Sequence, residues 1–153
     1  MAFSMATRAN ASVVGIDVSA ECIAKACQLF QHPNLTFVQG DALRQLPPGP
    51  FETIVISNMI EHIEQRIEFL KATQARLHPR RWLIRVPMIN RHWLVTLRKE
   101  LGMSYFSDPS HRTEYSQQSF EEELNAAGLV ITHLQINWGE IWAEAKPRLA
   151  VEK

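Results

Sequence analysis

The stretch VVGIDVSAECIAKACQLFQHPNLTFVQGDA, residues 13–42, decides the fold. Its β-branched beginning ends at Asp17, and Ser19 then stands in the N-cap position of an apolar-periodic segment, residues 20–30. A proline-containing break follows, and LTFV at residues 35–38 has the composition of a second strand. The pattern therefore predicts a β-α-β unit.

The same alternation continues towards the C-terminus. TIVIS, residues 53–57, is a continuous apolar run typical of a strand that is covered on both faces. Further helices are predicted over residues 64–77, 93–101 and 119–127, and further strands over residues 82–86, 129–136 and 140–145. This order predicts an α/β fold with a mostly parallel sheet and helices on both of its faces. The last two strands are expected to form an antiparallel pair.

Composition and charge are those of one globular domain. The 153 residues are 46% apolar and 21% charged, and sixteen basic residues balance sixteen acidic ones. We therefore expect a small-molecule partner rather than nucleic acid or a membrane, and a cytoplasmic location, since no leader-like or membrane-spanning run occurs. Cys22 and Cys27 fit neither a metal clip nor a disulfide and are interpreted as small buried side chains. Trp82, Trp138 and Trp142 are interpreted as packing residues.

Three polar side chains directly follow predicted strands: Asp17, Asp41 and Asn58. Because ligands of open α/β sheets bind beyond the carboxyl ends of the strands, these positions are candidate ligand contacts. A carboxylate at Asp17 can accept bonds from the two hydroxyls of a ribose, and Asp41 can accept one from the exocyclic amine of a base. For either aspartate alone, a turn or helix-capping role is the commoner alternative.

An ordered series of motifs carries a family resemblance. VVGIDVS, FVQGDA, FETIVISNMIEHI and LIRVP are followed by HRTEYSQQSFEEELNAAGL and WGEIWAEAKP. In order and spacing they resemble the motifs of class I S-adenosylmethionine-dependent methyltransferases, and the likeness covers almost the whole chain. The resemblance implies a single Rossmann-like methyltransferase domain over residues 1–153, with S-adenosylmethionine as its cofactor.

The resemblance also implies the cofactor contacts. Asp17 would bind the ribose of S-adenosylmethionine, with Val18 beside the adenine. Asp41 and Ala42 would hold the edge of the adenine, and Asn58 would line the pocket near the methionine moiety.

One part of the family pattern is missing. Members open with a strand and a GxGxG loop that lies against the cofactor, whereas this chain has no glycine before Gly15. We therefore expect an N-terminally incomplete domain without the first family strand, in which MATRANA ends the helix that follows the loop. Three outcomes are open: the strands beside the gap pair directly, another chain fills the gap, or the folded unit is unstable. Direct pairing or a homodimer is favoured.

The irregular region of residues 88–118 is the predicted substrate-side segment, because long connections in compact domains are commonly functional. Within it, His111 and Tyr115 are the candidate catalytic residues on the acceptor side, and the alternative is that both are solvated loop residues. A histidine near the methyl group can remove a proton from the acceptor. Further residues expected to shape this pocket are Asn90, His92 and Trp93.

Two neighbouring residues carry an open interpretation, and no metal site is predicted. Glu61 and His62 form a pair often found at this place in the family, and they are interpreted either as pocket-rim or as structural residues. His92 and His111 are too far apart in sequence to indicate a metal site by themselves.

Three functions compete. The leading one is S-adenosylmethionine-dependent methyl transfer to a small-molecule acceptor, impaired by the missing glycine loop. The second is a catalytically inactive, methyltransferase-like module that binds a partner. A nicotinamide-dependent oxidoreductase ranks last, because it needs the missing glycines as well and nothing in the sequence resembles a hydride-transfer site.

Overall fold

The computed structural model describes residues 1–148 and divides the chain into two compact units. The first is Met1–Pro48, and the second begins at Gly49. The end of the predicted domain, residues 149–153, lies outside the described residues. Within residues 1–148, no helix has both the length and the apolar character needed to cross a membrane.

The first unit is a β-α-β unit preceded by a short helix. Its elements are α1 (Ala2–Arg8), β1 (Val13–Asp17), α2 (Ala20–Leu29) and β2 (Leu35–Gln39). The two strands pair in parallel, with Asp17 opposite Gln39. Ser19 caps α2, because its Oγ accepts a bond from the Cys22 backbone N–H at 3.2 Å. The β-α-β prediction and the helix at MATRANA are thus confirmed.

The first unit buries very few of its side chains. Ala6 is the one buried side chain among residues 1–48, all of which are described. Cys22 and Cys27 are both exposed, so their interpretation as buried side chains is wrong. A two-stranded sheet covers too little of α2 to bury the flanks on which the cysteines stand.

The second unit is built around a four-stranded sheet. Its strands are β3 (Thr53–Ser57), β4 (Arg81–Pro87), β5 (Leu129–Asn137) and β6 (Glu140–Pro147), and its helices are α3 (Arg66–Leu77), α4 (Trp93–Glu100) and α5 (Gln117–Ala126). The strand order is β3-β4-β6-β5, with β3 and β4 parallel and the other pairs antiparallel. The predicted C-terminal strand pair is confirmed. Its turn holds Trp138 and Gly139 at φ of 56° and 73°, as tight hairpin turns require.

Helix α5 begins earlier than the sequence pattern predicts. Ser116 rather than a later residue is the cap, since its Oγ accepts a bond from the Ser119 backbone N–H at 3.1 Å. A polar residue inside the first turn was therefore mistaken for the helix start.

One apolar core joins the sheet to α3 and α5. Its largest fully buried side chains include Trp82, Tyr115 and Phe120. The packing interpretation of Trp82 is confirmed, but that of Trp138 and Trp142 is wrong, because they are 96% and 42% exposed. Trp138 stands at the tip of the β5–β6 turn, where no other element covers it.

The two units hold separate sheets, so the expected direct pairing of the strands beside the gap is wrong. Within residues 1–148, β1 pairs only with β2 and β3 pairs only with β4. Each of these two pairs is joined through its own crossover helix, α2 or α3. The continuous apolar run of β3 is correspondingly less covered than predicted, with Ile56 as its one buried residue.

Candidate functional site

The acids predicted to bind a cofactor both lie in the first unit, at one edge of its sheet. Asp17 ends β1, and Asp41 follows the adjacent and parallel β2. The Gly40 backbone N–H donates to the Asp17 carbonyl at 2.9 Å and holds the two strand ends together. The two aspartates therefore lie at the same edge of the sheet, the one formed by the carboxyl ends of its strands, where ligands of α/β sheets bind.

Both carboxylates also stabilise their own turns. Oδ1 of Asp17 accepts a bond from the Ser19 backbone N–H at 2.8 Å, and Oδ1 of Asp41 accepts one from the Leu43 backbone N–H at 2.9 Å. Oδ2 of Asp41 lies 3.4 Å from Nε of Arg44. Oδ2 of Asp17 has no partner in the described part of the chain. The turn role that was the alternative interpretation is thus present, and it leaves one carboxylate oxygen of Asp17 available.

The neighbours of these acids differ in exposure. Val18 is 71% exposed, which leaves an apolar side chain beside Asp17 open to solvent. Ala42 is half-buried. Small and apolar neighbours of this kind suit the approach of a flat base, and the roles of Val18 and Ala42 stay predictions.

A cavity of about 560 Å³ lies in the second unit. Asn58 lies in its wall directly after β3, with φ of 49°, and its backbone N–H donates to the Arg85 carbonyl at 2.9 Å. Of the residues predicted to shape a pocket, His92 also lines this cavity, whereas Asn90 and Trp93 do not. The lining of this cavity also includes Glu61, His62, Ser107, Asp108 and His111.

Three of these residues form a group that we call the Glu–His cluster: Glu61, His62 and His111. Glu61 and His62 lie on a 3-10 turn, Ile60–His62, that follows β3, whereas His111 comes from the irregular region before α5. The two imidazole rings are edge to face, with centroids 4.7 Å apart. One potential ligand atom from each of the three residues lies within 4.8 Å of the other two.

Both histidines are fixed through Nδ1. Nδ1 of His111 lies 3.0 Å from Oε1 of Glu114, and the same oxygen accepts bonds from the backbone N–H and the hydroxyl of Ser107 at 2.6 and 2.7 Å. Nδ1 of His62 lies 2.9 Å from Oγ of Ser110.

These partners determine the tautomers. The Glu114 carboxylate accepts but cannot donate, so the His111 proton resides on Nδ1. The Ser110 hydroxyl donates its hydrogen to Asp108 at 2.5 Å and must therefore accept from Nδ1 of His62. The Ser110 backbone N–H donates to the same Asp108 oxygen at 2.7 Å, and the two bonds from Ser110 to Asp108 lower the pKa of Asp108 below its usual value. In both histidines, Nε2 is left with its lone pair.

Glu61 is buried and makes no ion pair with a lysine or an arginine in the part of the chain that the structure describes. The residue is 1% exposed, and its Oε2 has no hydrogen-bond partner among residues 1–148. Oε1 lies 3.9 Å from Nε2 of His62. Burial raises the pKa of Glu61 above its usual value; a hydrogen bond from its own backbone N–H, and then the nearby His62 and His111 rings, oppose that shift without cancelling it. The backbone is well held, since the Arg112 N–H donates to the Glu61 carbonyl at 2.7 Å.

Tyr115 does not line this cavity, although its backbone is paired with that of Met88, which does. It is 1% exposed, packs edge to face against Phe120, and donates its hydroxyl hydrogen to Oε1 of Glu123 at 2.5 Å. Glu123 in turn accepts a bond from Nε of Arg66 at 2.6 Å. Burial first, and then the charge of Glu123, raise the pKa of Tyr115, so the phenol stays protonated. Its surroundings indicate a structural role rather than the predicted catalytic one.

His111 and Tyr115 are therefore separated by the structure, although both are buried rather than solvated. Sequence reasoning missed the residues that hold the cluster: Ser107, Asp108, Ser110 and Glu114. The spacing of His111 and Glu114 was a usable signal, because residues three apart can meet within one turn. The contact of His62 with Ser110 joins positions 48 residues apart and left no signal in the sequence.

Comparison with known proteins identifies relatives of the whole fold. A family model described as "Methyltransferase domain" matches residues 2–134. No curated protein sequence matches the chain.

Solved structures match over most of the chain. A chain in the complex between the Haloferax volcanii Trm112 methyltransferase activator and a putative methyltransferase shares 14% identity, with a TM-score of 0.72 over 99% of this chain and 81% of that chain. An S-adenosylmethionine-dependent methyltransferase from Mesorhizobium loti shares 12% identity, with a TM-score of 0.66 over 89% of this chain and 80% of that chain.

A third match is magnesium protoporphyrin IX methyltransferase from Synechocystis PCC 6803 with bound SAH. It shares 18% identity, with a TM-score of 0.68 over 95% of this chain and 68% of that chain. At such identities these likenesses show the fold alone, and that fold is the predicted Rossmann-like α/β arrangement.

Proposed function

Because the chain belongs to the methyltransferase domain family, we propose that it binds S-adenosylmethionine and transfers its methyl group to a small-molecule acceptor. The observation that carries the proposal is the pair of acids, Asp17 and Asp41, at the ends of two adjacent parallel strands. A carboxylate edge of this kind suits the ribose and the adenine of the cofactor.

The first unit would hold the adenosine part of the cofactor. The unpartnered oxygen of Asp17 would accept from a ribose hydroxyl while its other oxygen keeps the Ser19 bond. Val18 would cover one face of the adenine, and Asp41 with Ala42 would meet its edge. The contact of Asn58 with the methionine moiety stays a prediction from the family resemblance. When bound, S-adenosylmethionine supplies an electrophilic methyl group on a sulfonium.

The second unit would hold the acceptor. Its cavity of about 560 Å³ falls within the range of small-molecule sites, which is about 300–1,000 Å³. The balanced charge of the chain also favours a small acceptor over a polyanion. His111, held through Glu114, is the group in this wall that would orient a hydroxyl or an amine. Alignment of the reacting atoms carries most of the rate in a displacement of this type.

Calorimetry on the full chain tests the cofactor proposal. We expect saturable heat with S-adenosylmethionine and with S-adenosylhomocysteine, and none with a nicotinamide dinucleotide. Asp17→Asn is the matched variant, because its amide oxygen keeps the Ser19 bond but loses the charge. We expect at least 10-fold weaker binding, as charge-assisted bonds contribute about 1.5–3 kcal/mol each. Absence of heat at millimolar S-adenosylmethionine would contradict the proposal.

A specific observation also favours the second candidate, a catalytically inactive module that binds a partner. Among the described residues, β1 and β3 each have a strand neighbour on one side only, and unpaired edges of this kind accept strands from other chains. No cofactor binding, together with a concentration-dependent dimer in sedimentation, would support this candidate against methyl transfer.

A further inference from the structure

We propose that the Glu–His cluster is a binding site for a divalent first-row transition-metal ion such as Zn²⁺. Glu61, His62 and His111 would supply one carboxylate and two imidazole ligands. The inference does not rest on the proposed methyl transfer, because it is argued from the geometry and burial of the three side chains alone, and none of the three is a proposed cofactor contact.

The spacing of the potential ligand atoms suits such an ion. These atoms lie within 4.8 Å of one another. Bonds of about 2.0–2.2 Å from zinc to nitrogen and oxygen would place them about 3–4 Å apart. Nε2 of His62 already lies 3.9 Å from Oε1 of Glu61, so small side-chain rotations within the cluster would close the remaining difference.

The hydrogen bonds behind the histidines prepare both rings for ligation. A histidine that binds a metal through one nitrogen usually donates its other N–H to a carboxylate, a carbonyl or water, which fixes the ring and raises its basicity. His111 does so through Glu114, whereas His62 donates to the Ser110 hydroxyl, which in turn donates to the Asp108 carboxylate. Both Nε2 lone pairs are consequently available.

Glu61 provides the second, independent observation. Its carboxyl group is 1% exposed, and Oε2 has no hydrogen-bond partner in the part of the chain that the structure describes. Burying a carboxylate costs free energy unless a cation or hydrogen-bond donors compensate its charge. A metal ion between Glu61 and the two imidazoles would supply the missing positive charge.

The cluster is also reachable from outside. All three ligands line the cavity of the second unit, so an ion can enter through it. Three protein ligands leave at least one coordination position for water or another small ligand. That arrangement is typical of catalytic sites rather than of structural ones, which are closed by four protein ligands.

Metal titrations without any cofactor test the site. The metal-free full chain would be titrated with Zn²⁺ in a calorimeter and with Co²⁺ in an absorption spectrometer. We expect one ion per chain and visible Co²⁺ bands characteristic of nitrogen and oxygen ligation. Because neither readout involves S-adenosylmethionine or activity, failure of the methyl-transfer proposal would leave this result unaffected.

Variants distinguish a specific metal site from non-specific binding of Zn²⁺ to histidines. We expect Glu61→Gln and His62→Ala each to weaken Zn²⁺ binding at least 100-fold, because each removes one of three ligands. Glu114→Gln should weaken it about 10–100-fold, as is usual for partners of metal-bound histidines. His92→Ala is the matched control: His92 lines the same cavity outside the cluster, and its loss should leave the affinity unchanged.

Thermal unfolding of each metal-free variant shows whether it is folded before titration. Glu61→Gln keeps the shape of the side chain and removes the buried charge, so it should be at least as stable as the wild type. The proposal is overturned if the wild type binds no stoichiometric ion. It is equally overturned if folded Glu61→Gln and His62→Ala bind as the wild type does, or if His92→Ala weakens binding as much as they do.

Discussion

Two buried carboxylates of the second unit are handled in opposite ways. Glu140 is 5% exposed and lies between two guanidinium groups. Nε of Arg85 donates to its Oε2 at 2.5 Å, and a terminal nitrogen of Arg91 lies 3.0 Å from its Oε1, which is neutralised by this ion pair although it accepts no hydrogen bond among the described residues. Arg85 also stacks over the Trp142 ring at 4.7 Å. Glu61 is more deeply buried, has two imidazoles beside it, and makes no ion pair with an arginine or lysine among residues 1–148; the charge of Arg85 reaches it only from beyond ion-pair distance.

The pKa values of the two groups move apart for this reason. The hydrogen bond from Arg85 lowers the pKa of Glu140, whereas burial raises that of Glu61. The protein therefore neutralises the Glu140 carboxylate with its own arginines, whereas neutralising the Glu61 carboxylate requires a cation from outside the chain. A buried charge that the chain does not neutralise is a pointer to an external ligand.

The largest effect we expect is stabilisation by zinc. At a free Zn²⁺ concentration about 100 times its Kd, a ligand bound only by the folded state raises the free energy of unfolding by about 2.7 kcal/mol. Urea unfolding with and without Zn²⁺ should show this gain in the wild type and in Glu140→Gln, but not in Glu61→Gln. An equal gain in all three proteins would remove the contrast between the two carboxylates.

The next effect concerns the Glu140 site itself. We expect Glu140→Gln to lower the free energy of unfolding by about 2 kcal/mol, because it leaves two guanidinium groups without their carboxylate. The estimate lies below that for a fully buried pair, since Arg85 and Arg91 are 32% and 52% exposed. Glu61→Gln, measured in metal-free buffer, is the control and should show no such loss.

The pH dependence of this loss follows from the direction of the Glu140 shift. A carboxyl with a lowered pKa in the folded state stabilises the protein above its unfolded pKa, and this contribution disappears as the pH falls through the folded pKa. The difference between wild type and Glu140→Gln should thus be full at pH 7 and shrink once the pH drops below the usual carboxyl value of 4.5. A difference that stays constant in acid would mean that the lost packing, not the charge, is responsible.

The smallest effect is expected at Tyr115. Tyr115→Phe removes one hydrogen bond to Glu123, which keeps its bond to Arg66, and should cost about 1 kcal/mol of unfolding free energy. Because the buried Tyr115 side chain does not line the cavity and is not one of the three ligands, Zn²⁺ affinity should not change. A loss of Zn²⁺ binding in this variant would show that Tyr115 does contribute to the metal site.

Sequence reasoning succeeded where the signals are local. The strand, cap and helix of residues 13–30 could be predicted because each depends on neighbours a few positions away, as with Ser19 and the Cys22 backbone N–H. The acids at the strand ends were predicted for the same reason: parallel strands bring their carboxyl ends to one edge. The α/β class followed from these elements.

The Glu–His cluster could not be predicted in this way. Its geometry depends on the contact between the 3-10 turn after β3 and an irregular segment that supplies His111, and neither has a repeating pattern. The division into two sheets was not predicted, because a local pattern identifies a strand but not the strand it pairs with. Among the described residues, β1 and β3 do not pair with each other. Trp138 was misplaced because its apolar character indicates burial, while its place at a hairpin tip is decided by the turn residues around it.

The distribution of tryptophan along the chain has a practical consequence. All four tryptophans stand at or after position 82, so the segment Met1–Pro48 contributes no indole emission. Trp82 is fully enclosed while Trp138 is almost bare, so the change in emission wavelength on denaturation will come mainly from Trp82. Intrinsic fluorescence thus follows the unfolding of the second unit alone, and its divergence from circular dichroism would measure how independently the first unit melts.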